Sequence, residues 1–131
     1  RIASANLFGA SFEECKLQAV DFGDDVNLTG AKFARCNLDY ARFRGVSLAR
    51  MAFERCSLVE ADLSLCDLEK ASFVDCDLTH VDFTETHFKQ TDLRGANLTG
   101  MNIKKVDFSG AVVSRAQFEV LASELGIQIL G

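Results

Sequence analysis

An apolar residue recurs at every fifth position of this chain. The run Ala61-Asp62-Leu63-Ser64-Leu65, Cys66-Asp67-Leu68-Glu69-Lys70, Ala71-Ser72-Phe73-Val74-Asp75, Cys76-Asp77-Leu78-Thr79-His80 shows the block: a small residue, a polar one, Leu or Phe, then two variable positions. A period of five matches neither the 3.6 of an amphipathic helix nor the alternation of two of a half-buried strand. A fixed period is the mark of a repeat architecture, in which each unit buries its apolar side on the next.

With the Leu or Phe as its centre, the register runs Ile2, Leu7, Phe12, Leu17, Phe22, and then, after one extra residue assigned to Asp25, from Leu28 in steps of five to Val113. All 23 centres are apolar in a chain that is 48% hydrophobic. Two residues before each centre stands a small or modest side chain, and all five cysteines (Cys15, Cys36, Cys56, Cys66, Cys76) fall there. In extended backbone, positions two apart point the same way. Each block therefore sends one small and one large side chain inward and a polar one outward, and the last two positions turn the chain. Rungs of this kind stack ~4.8 Å apart, the spacing of paired strands. The lack of proline in all 131 residues fits a continuous backbone ladder, to which proline cannot donate.

These residues resemble the pentapeptide repeat family, whose motif is A(N/D)LXX; Ala5-Asn6-Leu7 and Ala96-Asn97-Leu98 match it in full. The resemblance implies an all-β fold, a right-handed quadrilateral β-helix with four blocks to a coil, over residues 1–113. Residues twenty apart then stack on one face. Cys36, Cys56 and Cys76 form one inward column, which Cys15 joins if the extra residue is a local bulge. Parallel side chains in such a column favour packing over bridging. The alternation of Leu and Phe centres puts Phe on opposite faces and slips at Leu63 and Phe88. Ile2 already stands in register, so the coil is expected to reach further N-terminally, and the chain is read as a piece of a longer one.

After Val113 the period ends. Ser114 to Gly126 reads as a helix, with Ser114 and Gln117 as a capping box, Phe118, Leu121, Ala122 and Leu125 on one face, and Gly126 as its stop. Residues 114–131 are expected to cap the last coil. Ile127, Ile129 and Leu130 exceed what one cap requires, which points to dimerisation through Phe118, Leu121, Ala122, Leu125, Ile127 and Ile129.

This tail, with Gln117, Leu125, Gly126, Ile127, Ile129 and Gly131, is similar to the end of the Qnr-type quinolone-resistance proteins, as is Asp92-Leu93-Arg94-Gly95-Ala96-Asn97-Leu98. That resemblance implies a bacterial homodimer that mimics duplex DNA and binds a type II topoisomerase, DNA gyrase or topoisomerase IV, and the unpaired cysteines point to the cytoplasm. The projecting loops of many Qnr proteins are absent here, which implies an inhibitor or a poor protector of gyrase from quinolones. The alternative is a generic β-helical scaffold with another protein partner.

The net charge is −5, with 14 basic and 19 acidic residues, which argues against direct nucleic-acid binding. Charge is unevenly spread. Residues 32–55 carry +4 and residues 60–92 carry −7. Glu60, Asp62, Asp67, Asp75, Asp77, Asp82, Glu85 and Asp92, with Glu69, form this acidic band, the candidate partner-binding surface. His80 and His87 stand alone and are read as solvent-facing. No nucleophile motif, phosphate loop or ligand spacing is present, so neither enzyme activity nor a metal or other cofactor is expected. No apolar run approaches the ~20 residues of a membrane span, and odd, unpaired cysteines point to a reducing compartment.

Overall fold

The computed structural model describes residues 6–23 and 26–131. Ile2, Ala5 and the extra residue assigned to Asp25 lie outside the described residues. Its effect is visible on either side. Asn6 pairs with Asn27 and Asp21 with Arg42, 21 residues apart, whereas Asn37 pairs with Ser57 and Ser57 with Asp77, 20 apart. The first coil is one residue longer, and the faces stay in phase.

All pairing among the described residues is parallel. Strands β1 (Ser11–Glu13), β2 (Lys32–Ala34) and β3 (Ala52–Glu54) form one sheet in the order β1-β2-β3, with Phe12, Phe33 and Phe53 in register. Elsewhere each rung is a single bridge at the polar residue before the centre. Four rows result: Asn37–Ser57–Asp77–Asn97, Arg42–Asp62–Asp82, Ser47–Asp67–His87 and Ala52–Ser72–Asp92–Val112.

The corners explain the rest of the block. Among the described residues, thirteen non-glycine residues at its fifth position have φ between 50° and 63°, including Glu60, Leu65, Asp75, His80 and Glu85. A left-handed residue there lets the next block's N–H reach back to the centre's carbonyl, as Val46 N–H does to Phe43 O at 2.8 Å. The outward Asp or Asn holds the same turn from the side, because its Oδ1 accepts the N–H two residues on: Asp62 from Ser64 at 2.9 Å, Asp77 from Thr79 at 3.0 Å, Asn97 from Thr99 at 3.0 Å. The N/D preference is thus an Asx-turn requirement.

Inside, Phe12, Phe33, Phe53 and Phe73 stack face to face at centroid separations of 4.8 to 5.2 Å. Phe22 and Phe43 stack at 4.6 Å on the opposite row and meet the first column edge-on at about 6 Å. The small inward position has a second task. Cys66 Sγ donates to Phe43 O at 2.9 Å, Cys76 Sγ to Phe53 O at 3.1 Å, Thr86 Oγ1 to Leu63 O at 2.8 Å and Thr91 Oγ1 to Leu68 O at 2.7 Å. Each acceptor is the carbonyl of a centre in the preceding coil, so a buried thiol or hydroxyl costs no unpaired polar group.

The one helix among the described residues, α1 (Arg115–Glu124), starts at N-cap Ser114 with the capping box to Gln117 in place. It ends in a Schellman motif: Gly126 N–H reaches Ser123 O and Ile127 N–H reaches Ala122 O, with Gly126 at φ 78°. The helix leans on the last coil. Ala122 is buried, and Gln117 Nε2 donates to Leu93 O at 2.6 Å and Ala96 O at 2.9 Å.

The ladder does not run evenly to Val113. The sequence period continues through Ile103 and Phe108, yet neither Asn102 nor Asp107 bridges to the coil before it. Lys105 and Val106 instead donate to Asn102 O, a local turn, and Lys105 lacks the left-handed φ of the other corners. This last coil has a neighbour on one side only, so its rungs lose half of the pairing that holds the others.

Candidate interaction surfaces

The acidic residues fall into two structural kinds. Asp62, Asp67, Asp77, Asp82 and Asp92 are outward rung residues, each with Oδ1 tied to the N–H two residues on. Glu60, Asp75 and Glu85 are corner residues, exposed and free of that duty. The rung acids do not share a face. Asp62 and Asp82 are direct neighbours on one row, while Asp67, Asp77 and Asp92 lie on the other three. The band is spread over all four rows.

Local partners temper some of this charge. The Thr84 hydroxyl and N–H hold the Asp82 carboxyl below its ordinary range, with a smaller contribution from Arg44. Arg94 does the same to Asp92 through a hydrogen-bonded ion pair. Arg44 Nη1 also donates to Ser64 Oγ at 3.0 Å, and Ser64 Oγ donates to Asp62 Oδ1 at 2.5 Å. Ser64 is fully buried, a linker that sequence reading missed because it stands at a variable position. Tyr40, above Glu60 on one corner column, has its hydroxyl pushed up by a hydrogen bond to that carboxylate. His80 on the same column is exposed, as is His87.

The residues expected at a dimer contact divide as well. Ala122 is buried and Leu121 half-buried against the coil. Phe118, Leu125, Ile127 and Ile129 are 54%, 48%, 54% and 46% exposed. Together with Val120 and Leu130 they leave a large apolar surface around α1.

The thiols stand apart from any surface. Cys36, Cys56, Cys66 and Cys76 are buried and unbridged, and Cys15 is half-buried. Burial pushes the Cys66 thiol up to about 12. The Cys56 contact, then burial, pushes Cys76 up as well. Protonated thiols of this kind pack as small apolar groups. Among the described residues no group of three His, Cys, Asp or Glu side chains could hold a metal ion, and no helix is long and apolar enough to cross a membrane.

Comparison with known proteins bears on this architecture. Residues 46–121 match the family profile "Pentapeptide repeat region", and residues 5–50 match "Pentapeptide repeats (8 copies)". No curated protein sequence matches. A trypsin-treated variant of QnrB1, a plasmid-mediated fluoroquinolone resistance protein, is similar in structure, with a TM-score of 0.82 over 98% of this chain at 21% identity. The chain spans 64% of that structure's length. A pentapeptide repeat protein of the Arabidopsis thaliana thylakoid lumen matches at 20% identity over 94% of this chain and 77% of its own, with a TM-score of 0.47. HetL, involved in heterocyst differentiation regulation in the cyanobacterium Nostoc, matches at 23% identity over 84% of this chain and 62% of its own, with a TM-score of 0.45. At such identities the QnrB1 likeness concerns the fold. Profile, period and ladder agree: the chain belongs to the pentapeptide repeat family, a family of non-catalytic scaffolds.

Proposed function

We propose that this chain is a protein–protein interaction module. In this reading residues 1–113 form a right-handed quadrilateral β-helix, and residues 114–131 cap it and join two copies into a longer rod. The observation that carries the reading is the apolar surface around α1. In the body of the rod the apolar side chains are largely buried, whereas Phe118, Leu125, Ile127 and Ile129 are about half exposed on one terminal element. A surface of that kind marks a contact with protein. Sedimentation tests it: wild-type protein is expected to be a dimer and the Phe118→Asp, Ile127→Asp variant a folded monomer. An unchanged mass would leave α1 a cap and nothing more.

A second, narrower reading assigns the partner. The collar of acid at residues 60–92 supports DNA mimicry toward DNA gyrase or topoisomerase IV. The Asx turn needs only an acceptor oxygen, and Asn supplies it at Asn27, Asn37, Asn97 and Asn102 without charge. The fold therefore does not account for aspartate at Asp62, Asp67, Asp77, Asp82 and Asp92, nor for Glu60, Asp75 and Glu85 at corners. A rod charged on all sides presents what a duplex presents, at lower density than one charge per ~1.7 Å. The similar tail and the fold shared with a fluoroquinolone resistance protein point the same way. In a gyrase supercoiling assay with and without a quinolone, the dimer is expected to change activity or drug sensitivity. Asp62→Asn, Asp77→Asn and Asp82→Asn together should weaken that effect while keeping the turns. No effect of the wild-type dimer at micromolar concentration would remove gyrase and leave the interaction module.

A further inference from the structure

The break at residues 102–107 leaves an open ladder edge. In the coil before it, Leu63 N–H donates to Asp82 O at 3.0 Å, Leu65 N–H to Thr84 O at 2.9 Å and Leu68 N–H to His87 O at 3.1 Å. One coil on, the N–H groups of Phe83, Glu85 and Phe88 have no protein acceptor among the described residues. The carbonyls of Val81 and Thr86 have no protein donor there either. Neighbouring rows are closed at the same level, Leu78 N–H to Asn97 O at 2.9 Å and Leu93 N–H to Val112 O at 2.8 Å. Beside the open edge lies a cleft of about 360 Å3, with Val81–Thr84 on one wall and Gly100–Asn102, Lys105 and Val106 on the other.

We propose that this edge takes up an extended peptide from a partner protein as an added parallel strand. Unpaired, alternating N–H and C=O groups specify a strand and nothing else, because only an extended backbone repeats its donors and acceptors at that spacing. The register is set by the coil beneath. The peptide's carbonyls face Phe83 N–H and Glu85 N–H, and one of its N–H groups faces Val81 O. Its side chains are constrained as well. The residue above Phe83 points among Val81, Phe83, Met101 and Val106 and must be a large aliphatic one. The residue above Asp82 points outward beside an exposed carboxylate that already has Asp62 on its other side, with Glu85 exposed at the next corner, so a donor such as Asn or Lys is favoured over a third acid. The ligand is a neutral or basic segment of the form small–Asn/Lys–Leu. No residue of α1 lines this cleft, although Val106 also lines the adjoining groove beneath Phe118, Leu125 and Ile127, so peptide capture is tested with those side chains present and replaced.

Amide hydrogen exchange on the full chain tests this, with a capped hexapeptide of the sequence of residues 95–100, Gly-Ala-Asn-Leu-Thr-Gly, as probe. At millimolar peptide the Phe83 and Glu85 amides are expected to slow at least tenfold, saturably, in both the wild type and the Phe118→Asp, Ile127→Asp variant. The same peptide N-methylated at Asn should have no effect, and its Asn→Asp version should bind more weakly. Three results would each overturn the proposal. These are amides already protected without peptide, which would mean that residues 102–106 close the ladder themselves, an equal effect of the N-methyl peptide, or no change at all.

Discussion

Phe53 and Phe108 hold the same place in the five-residue block and live in different surroundings. Phe53 is fully buried, stacked between Phe33 at 5.2 Å and Phe73 at 4.8 Å. Phe108 is half-buried and stacks on Phe88 alone, at 5.4 Å. The difference lies in the count of neighbouring coils, since a rung in the body is paired above and below and the last one on a single side. In a solenoid the sequence of a unit matters less than its place in the stack.

The contrast can be broken by truncation. Phe53→Ala is expected to cost about 3–5 kcal/mol in denaturant unfolding, the range for a large aromatic removed from a packed core. Phe108→Ala is expected to cost less than half of that. Equal losses would show that the last coil is as fully supported as the body.

Glycine corners sharpen it at smaller scale. Gly45 has φ 73° and open space where a Cβ would go, whereas a Cβ on Gly110, at φ 85°, would stand 3.1 Å from Lys89 Cα and 3.3 Å from Gln90 N. Gly45→Ala should cost about 1 kcal/mol, the left-handed penalty alone. Gly110→Ala should cost about 2 kcal/mol, because backbone must also move. If the two match, the last coil is soft enough to absorb the contact.

The smallest effect should be blind to the contrast. Asp82 in the body and Asp107 in the last coil are both held below the carboxylate value of 3.8 by a hydroxyl two residues on, Thr84 and Ser109. A folded pKa below the unfolded one contributes stability that is full above pH 3.8 and fades as pH falls through the depressed folded value. NMR titration should place both midpoints under 3.8, and Thr84→Ala or Ser109→Ala should raise its own partner's midpoint toward it. A shift confined to Asp82 would make the Asx turn depend on the ladder.

Much of this architecture is legible in the residues, and the limits have causes. The centres and the small positions are set by an inward direction that recurs, so Leu63 and Ala61 can be placed by counting. The corners cannot, because left-handed φ is imposed on Leu65, Arg50 and Gln90 alike by the turn's hydrogen bond rather than by residue type. Ile103 keeps the period while its rung leaves the ladder, for pairing is a property of the neighbour. The acidic band reads as one stretch in the chain. Only the length of a coil reveals that Asp62, Asp67, Asp77 and Asp92 face four ways. The helix caps, by contrast, are local, and Ser114, Gln117 and Gly126 announce them directly.

The extra residue in the first coil has a consequence for how such a chain changes over time. Twenty residues added or lost move everything beyond them along the axis by one step, without rotation. Five residues, in the proposed four-sided helix, turn everything beyond them by a quarter of the circuit at almost constant height. A single residue, as the 21-residue offset from Asn6 to Asn27 shows, does neither. The rod therefore behaves like a gear with two independent settings and a little backlash. Insertions and deletions can rotate or slide one charged collar against another while each rung keeps its own chemistry.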